Sequence, residues 1–165
     1  MKKEDVLQFL LQKNIAYEWV EHQAVFTMKE MEYLSVESKG EEAKNLFLRD
    51  ARGKRHFLLT VQKDKQVDLK RLRTQMQTTQ LSFASEQRLQ TYLGLTQGSV
   101  SPFGIFNDEQ REVEVWMDAD LQDKIIGIHP NENTATVWIA CADVCQLITE
   151  HGNSLHIIHV PEKQA

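Results

Sequence analysis

The sequence predicts an α+β fold, a single domain in which helices flank a mixed, largely antiparallel β-sheet. Two observations lead to this class. Short runs of strand-like residues and segments with the apolar spacing of amphipathic helices are interspersed along the whole chain. They do not follow the regular β-α-β repetition that builds a parallel sheet, and no repeat or linker divides the 165 residues. We therefore expect one domain over residues 1–165.

The first part of the chain is predicted to alternate between helices and strands. Its elements are a helix over residues 4–13, a strand over 15–20, a helix from 27 through 34, a strand from 44 to 49 and a strand over 56–61. Thr27 and Glu30 have the spacing of a capping box, which favours the second helix. A polar turn at 50–55 joins the last two strands, and this predicts an antiparallel hairpin.

Two helices in the middle of the chain have their own start and stop signals. Asp68 can cap a helix through Met76, and Ser85 can cap a helix through Leu93 that Gly94 terminates. The remaining predicted elements are mostly strands, namely 81–84, 104–107, 112–117, 124–129, 134–140 and 155–160, with one more helix over 142–150.

The charge of the chain argues against a general nucleic-acid coat. The net charge is −5, whereas such binding depends on many contacts to phosphates. The segment from Lys63 to Arg73 is a local exception, because its five basic and two acidic residues give it a net charge of +3. Lys70 and Arg73 lie together on one side of the predicted helix. They form either a solvated helix face or a local binding patch.

Several classes of site and location are excluded by missing motifs. No apolar run is long enough for a signal peptide or a membrane span, so we expect a cytoplasmic protein without membrane contact. Cys141 and Cys145, four residues apart in a helical pattern, are expected to be reduced thiols. The sequence has no zinc motif, no Gly-rich phosphate loop and no nucleophile elbow. No metal and no cofactor are therefore expected.

The strand that begins at Lys44 combines a charged residue with an apolar face. Alternate side chains of a strand point the same way, so Lys44, Leu46 and Leu48 share one face. In one interpretation the lysine stem lies on the core and the ammonium reaches water at the strand end. In the other, Lys44 is the charged floor of a binding cleft and requires an anionic partner.

Two further segments can contribute to such a cleft. The loop 98–104 contains Gly98, which tolerates unusual backbone angles, and Pro102, which fixes φ. Such a loop can direct successive N–H groups at one point, as an oxyanion hole requires, but it can equally be an ordinary helix-to-strand connection. His129 precedes Pro130 at a predicted strand end, where it suits either a pocket rim or the edge of the core.

In their order along the chain, these segments resemble the prolyl-tRNA editing domain of the YbaK/ProX type. The matching stretches are Lys44-Asn45-Leu46-Phe47-Leu48, Asp68-Leu69-Lys70, Leu81-Ser82-Phe83-Ala84, the loop 98–104 and His129-Pro130. The resemblance covers about residues 4 to 160. The family includes free-standing proteins and insertions in some prolyl-tRNA synthetases, and this length matches a free-standing member.

The resemblance implies a deacylase that hydrolyses the ester between a wrong amino acid and the 3′ end of tRNA(Pro). The essential lysine of the family corresponds to Lys44, its Gly-x-x-x-Pro loop to residues 98–102 and its pocket histidine to His129. We therefore expect catalytic roles for Lys44, Gly98 and Ser99, substrate contacts from Asn45, Ser101, Pro102, Phe103, His129, Met28 and Met31, and tRNA contacts from Lys70, Arg71 and Arg73.

The resemblance also suggests the substrate and the partners. Asn45 after the lysine is similar to members that remove alanine, whereas threonine commonly follows in members that remove cysteine. The expected substrate is thus alanyl-tRNA(Pro), with prolyl-tRNA synthetase as a further candidate partner. In the family the ribose hydroxyl of the substrate is thought to help the proton transfer, which leaves Lys44 a positioning and electrostatic role. The alternatives are a deacylase for cysteinyl- or seryl-tRNA and a module that holds an aminoacyl-tRNA end or nucleotide without cleaving it.

Overall fold

The structure is a computed structural model that describes residues 1–22 and 40–164. Its α-helices in this part of the chain are α1 Lys3–Gln12, α2 Leu69–Met76, α3 Glu86–Leu93 and α4 Cys141–His151. Its strands are β1 Tyr17–Glu21, β2 Glu41–Arg49, β3 His56–Gln62, β4 Ser82–Phe83, β5 Val113–Asp118, β6 Ile125–Ile128, β7 Ala135–Ala140 and β8 Leu155–Ile158. Two 3-10 helices span Pro102–Asn107 and Ala119–Leu121. None of the described helices is long and apolar enough to cross a membrane.

The described strands form one sheet in the order β1-β7-β6-β2-β3-β5-β8, with β4 paired to β2. The predicted hairpin of β2 and β3 is confirmed, with antiparallel register from Ala43 opposite Gln62 to Arg49 opposite His56. Four pairings are antiparallel, and the pairs β2–β6, β3–β5 and β5–β8 are parallel. The sheet is therefore mixed, and the predicted α+β class is confirmed.

Side chains on the two faces of the sheet belong to two apolar cores. The first core contains Ala43 and Phe47 of β2 and buried residues of α1, α3 and α4. The second core contains Leu48 of β2, Leu72 of α2 and, partly buried, Leu46. Both faces of β2 are thus covered, and Lys44 lies on the face of Leu46 and Leu48, as the alternation predicts. β2 therefore contributes side chains both to the core shared with α1, α3 and α4 and to the core shared with α2.

Local signals explain why the two middle helices begin where they do. The Asp68 side chain accepts a hydrogen bond from the Arg71 N–H at 3.1 Å, and the Ser85 hydroxyl accepts one from the Arg88 N–H at 3.2 Å. These bonds satisfy N–H groups that have no partner within a helix. Gly94 ends α3 with φ of 64°. Both predicted caps are confirmed.

The predicted strand at 104–107 is wrong, because this segment lies in the 3-10 helix Pro102–Asn107. Pro102 occupies its first turn, where a missing N–H is tolerated. The Ser101 hydroxyl accepts a hydrogen bond from the Phe103 N–H at 3.1 Å, and its carbonyl accepts one from the Gly104 N–H at 3.0 Å. These local bonds compete with strand pairing. The predicted helix at 27–34 lies outside the described residues.

Candidate active site

A cavity opens where β2 separates from β6. The parallel pairing of these strands is limited to Glu41 and Glu42 of β2, and β4 pairs only with Leu48 and Arg49. Between these pairings one edge of β2 faces a cavity of about 370 Å³, within the size range of small-molecule sites. The lining residues are Glu42, Ala43, Lys44, Asn45, Leu46, Phe47, Phe83, Ala84, Glu86, Leu89, Gln97, Gly98, Val100, Gly127, Ile128, His129 and Thr136. The structure thus brings Lys44, Asn45, Gly98 and His129 around one space.

The open edge of β2 directs main-chain groups into this cavity. The Glu42 carbonyl accepts a hydrogen bond from the Lys63 N–H on the β3 side, and the Phe47 carbonyl accepts one from the Ala84 N–H on the opposite side. Successive residues of a strand direct these groups to alternate sides, so those of Asn45 point away from β3. No strand of the described chain pairs with Asn45 there. An extended ligand can therefore hydrogen-bond to this edge.

The Lys44 ammonium is held by a neutral oxygen. It donates a hydrogen bond to the Lys65 carbonyl oxygen, and its side chain is half-buried in the cavity lining. Burial lowers the pKa of Lys44 below its ordinary value of 10.5, and the charge of Asp64 opposes this shift. An ammonium has three N–H groups, so two remain after the bond to Lys65. Lys44 can therefore contact a ligand without leaving its present partner.

Lys65, which supplies that carbonyl, is itself fixed by a buried ion pair. Its side chain is almost fully buried, with Nζ 2.9 Å from Asp118 Oδ1 and 2.5 Å from Asp120 Oδ2. Burial alone would lower the pKa of Lys65, but hydrogen bonds to Asp120 and Asp118 outweigh it and raise the pKa. Asp118 Oδ2 also accepts the Gln62 N–H at 3.1 Å. This network fixes the oxygen that positions Lys44, and sequence reasoning did not find it.

Gly98 gives the loop a backbone conformation with positive φ. Its φ is 88°, in the region that side-chain-bearing residues rarely adopt. The Ser99 N–H donates to the Thr96 carbonyl at 3.1 Å and is therefore engaged. In the described part of the chain, the N–H groups of Gly98, Val100 and Ser101 have no hydrogen-bond partner. Gly98 and Val100 also line the cavity, where N–H groups without partners can stabilise an oxyanion.

The other residues predicted in this loop lie outside the cavity lining. Ser101, Pro102 and Phe103 are buried, Phe103 within the first core, and the Ser101 hydroxyl caps the 3-10 helix. Ser99 is also buried and lines a second cavity, next to Met1 and Asn131. Met28 and Met31 lie outside the described residues. The expected roles of these residues stay predictions.

His129 and Asn45 contribute polar groups to the cavity lining. His129 Nδ1 lies 2.9 Å from the Ala135 carbonyl oxygen, so it carries the proton and donates. Burial lowers the pKa of His129 below its ordinary value of 6.5, the Ala135 carbonyl opposes this shift, and His22 adds to it. The imidazole is thus neutral at pH 7, with Nε2 as an acceptor. Asn45 Oδ1 accepts the Thr60 hydroxyl at 2.6 Å, which leaves its NH₂ to donate to a ligand.

The basic segment from Lys63 to Arg73 divides into two groups. Lys63 pairs with Glu42 at 2.7 Å and Lys65 with Asp118, so both are used within the fold. The predicted tRNA contacts Lys70, Arg71 and Arg73 are exposed on α2, which packs on the second core and contributes nothing to the cavity lining. No cluster of three or more His, Cys, Asp or Glu suited to a metal occurs in residues 1–22 and 40–164.

Comparisons with known proteins agree with the resemblance found in the sequence. The family model of the aminoacyl-tRNA editing domain matches residues 22–147. The prolyl-tRNA editing protein ProX of Acetoanaerobium sticklandii is 44% identical over 159 residues, covering 96% of this chain and 97% of the relative. A prolyl-tRNA synthetase associated domain-containing protein 1 from Danio rerio is 33% identical over 151 residues, covering 90% and 82%.

Solved structures show the same fold at low sequence identity. One, proposed to be a trans-editing enzyme for prolyl-tRNA synthetase, superposes with a TM-score of 0.74 at 18% identity and covers 99% of each chain. A scaffold from the computational grafting of epitopes gives a TM-score of 0.75 at 18% identity, covering 98% and 97%.

Proposed function

The chain belongs to the aminoacyl-tRNA editing domain family, and we propose that it hydrolyses the ester of mischarged tRNA(Pro), preferentially alanyl-tRNA(Pro). The observation that carries this proposal is the cavity at the open edge of β2, where Lys44, Asn45, Gly98 and His129 meet. The 44% identity to a prolyl-tRNA editing protein over nearly the whole chain supports tRNA(Pro) as the carrier of the ester.

The chemistry needs little from protein side chains because an aminoacyl ester is already activated. Water attacks the carbonyl carbon, the carbonyl oxygen gains negative charge, and the bond to the ribose oxygen then breaks. The N–H groups of Gly98 and Val100 are our candidates for stabilising that oxygen. The proton lost by the water passes to the departing ribose oxygen, and the neighbouring ribose hydroxyl can carry it.

Lys44 has a positioning role in this proposal. Its ammonium is tethered to the Lys65 carbonyl and keeps two N–H groups for the ribose or the ester, which the cavity lined by Lys44 would hold. A charge fixed in a partly desolvated site interacts more strongly than one in water and needs no reorganisation during the reaction. The substrate would thus be aligned with the loop at Gly98 before water attacks.

The amino acid would be selected by size. Neutral His129, Ile128 and Gly127 line one side of the cavity, and the buried parts of this wall cannot move aside easily. A proline ring needs more room than an alanine methyl, so exclusion resembles the second sieve of an editing enzyme. The proposed preference for alanine over cysteine rests on Asn45, which follows the lysine as in members that remove alanine.

The partners follow from the substrate. Aminoacylated tRNA(Pro) is produced by prolyl-tRNA synthetase, and we propose that the protein acts on the released product in the cytoplasm. Met28, Met31, Ser99, Ser101, Pro102 and Phe103 remain candidates for further contacts in the bound state.

The test is deacylation of four substrates, alanyl-, cysteinyl-, seryl- and prolyl-tRNA(Pro), by the purified protein. We expect the highest kcat/KM with alanyl-tRNA(Pro) and a value lower by about 100-fold or more with prolyl-tRNA(Pro), since binding alone discriminates single groups by about 10–200-fold and steric exclusion adds to this. Cysteinyl- or seryl-tRNA(Pro) cleaved fastest would correct the substrate. If prolyl-tRNA(Pro) were cleaved as fast as the other substrates, selection of the amino acid by size would be contradicted.

His129→Ala should change the selectivity more than the fold. Removing the imidazole enlarges the cavity, so the ratio of prolyl to alanyl kcat/KM should rise by about tenfold, the scale of one methylene-sized group or more. His156→Ala is the matched control, because His156 is exposed on β8 and outside the cavity lining. An unchanged ratio in His129→Ala would mean that His129 forms no part of the sieve.

A further inference from the structure

We propose that Arg49 and Arg88 form a phosphate site for the RNA strand that leads into the cavity. The site lies on the turn between β2 and β3. This inference rests on the proposed function, because the phosphate belongs to the RNA partner of the ester.

Both guanidinium groups are held against the turn by carbonyl oxygens. Arg49 donates to the carbonyls of Asp50 and Ala51, each at 3.1 Å, and Arg88 donates to the Gly53 carbonyl at 3.0 Å. A Cβ on Gly53 would lie 2.8 Å from Arg88 Nη2 and 3.0 Å from Arg49 Nη2. The two nitrogen atoms are therefore within about 6 Å of each other, where like charges repel appreciably.

The charges of this pair are not neutralised by direct contacts. Within residues 1–22 and 40–164, neither Arg49 nor Arg88 contacts a carboxylate. Arg55 in the same turn differs, since two of its nitrogens lie 2.9 Å from the two carboxylate oxygens of Glu114. Asp50 is the nearby acid, but its Oδ1 accepts from the N–H groups of Lys54 and Arg55.

A buried histidine beside Arg88 also leaves the positive charge of the pair without a neutralising partner. His56 Nε2 lies 3.1 Å from Arg88 Nη1, and the imidazole stacks on Tyr92 with ring centroids 3.9 Å apart. Burial lowers the pKa of His56, Arg88 and Arg49 lower it further, and only Asp50 opposes them. The partner of Arg88 is thus a neutral ring, which leaves its positive charge available to an anion.

Phosphate is the anion that suits this arrangement. Two guanidinium groups offer several N–H donors in fixed planes, and phosphate oxygens accept them in pairs. Exposed Arg52 and Lys54 add positive charge to the same turn. A bound phosphate would relieve the repulsion between Arg49 and Arg88, whose positions need not change much because carbonyls already fix them.

The location explains why the phosphate would be part of an RNA. Arg49 lies two residues after Phe47 on the same face of β2, and Arg88 directly precedes Leu89; Phe47 and Leu89 both line the cavity. Phe83, also in the lining, is 62% exposed and offers a surface on which a base can stack. A single strand whose end enters the cavity would therefore pass this turn.

The experiment measures binding of uncharged tRNA(Pro) over a series of salt concentrations. For the double variant Arg49→Gln/Arg88→Gln we expect a Kd at least tenfold higher at low salt. The slope of log K against log[salt] should fall by about 0.7–0.9 for one lost phosphate contact. Arg55→Gln is the matched control, because its charge is already paired; its Kd should stay within twofold of the parent. A double variant that binds like the parent, or no worse than the control, would overturn the proposal.

A charge-retaining variant guards against a folding defect. Arg49→Lys/Arg88→Lys should keep most of the salt slope, and thermal unfolding of all variants shows whether the turn is intact. Inorganic phosphate is titrated in parallel at constant ionic strength. Loss of inorganic phosphate binding with unchanged tRNA binding would mean that the site takes free phosphate, and would overturn the RNA assignment.

A second arm separates this proposal from the proposed function. The alanyl ester of adenosine has no phosphate, so the loss of kcat/KM in the double variant should be at least tenfold greater on alanyl-tRNA(Pro) than on this ester. Equal losses on both would contradict the phosphate site. A parent that cleaves neither ester would contradict the proposed function, while the binding measurement still decides the phosphate site.

Discussion

Lys44→Ala should lower the kcat for alanyl-tRNA(Pro) deacylation by about two to three orders of magnitude, the effect of removing one preorganised electrostatic group from an active site. The protein should remain folded, because Lys44 is only half-buried and its partner is a carbonyl oxygen. The measurement is single-turnover deacylation together with a denaturation curve for each variant.

Two controls refine this prediction. Lys44→Met keeps the apolar stem and should lose as much activity as Lys44→Ala if the charge is responsible. Lys13→Ala removes a lysine from an exposed pair with Glu150 and should leave the rate unchanged. Full activity in both Lys44 variants would mean that the ammonium has no part in the reaction.

Asp118→Asn should have the largest effect on stability among single changes at the site. Asp118 is fully buried, and its loss would leave the buried Lys65 ammonium with only the exposed Asp120. Breaking a buried ion pair in this way typically destabilises by about 3–5 kcal/mol. Asp120→Asn is the matched control. Its carboxylate is 60% exposed, so the change should lower the stability in chemical denaturation far less than Asp118→Asn does.

Asp118→Asn should also lower kcat, since Asp118 acts on Lys44 through Lys65. A double-mutant cycle with Lys44→Ala distinguishes this role from a purely structural one. Asp118→Asn should reduce the activity of the parent, but it should add little to the loss already present in Lys44→Ala. Independent losses that multiply in the double variant would show that Asp118 does not act through Lys44.

The parts of the fold that depend on local signals are predictable from the sequence. Asp68 and Ser85 cap helices because their side chains bond N–H groups three residues ahead, and the β2–β3 hairpin closes over a short polar turn. The strand predicted at 104–107 failed for a related reason. Its apolar composition favours a strand, but the local hydrogen bonds of Ser101 and the start at Pro102 favour a 3-10 helix.

The site was only partly predictable because it depends on distant pairings. The resemblance indicated Lys44, Asn45, Gly98 and His129, and the structure places these around one cavity. The cavity opens where the short parallel pairing of β2 with β6 ends, and no local pattern specifies this long-range pairing. The ion pair of Lys65 is not predictable from the basic segment that contains it, because its partner Asp118 lies 53 positions away in the chain. The pairing of Arg49 with Arg88 likewise required the fold.

The most direct measurement is the half-life of the ester in alanyl-tRNA(Pro) mixed with the purified protein, followed as free alanine. We expect the protein to shorten the half-life far below that in buffer and to release alanine in proportion to the tRNA deacylated. A half-life longer than that in buffer would identify a module that binds and protects the ester, and would contradict an editing hydrolase.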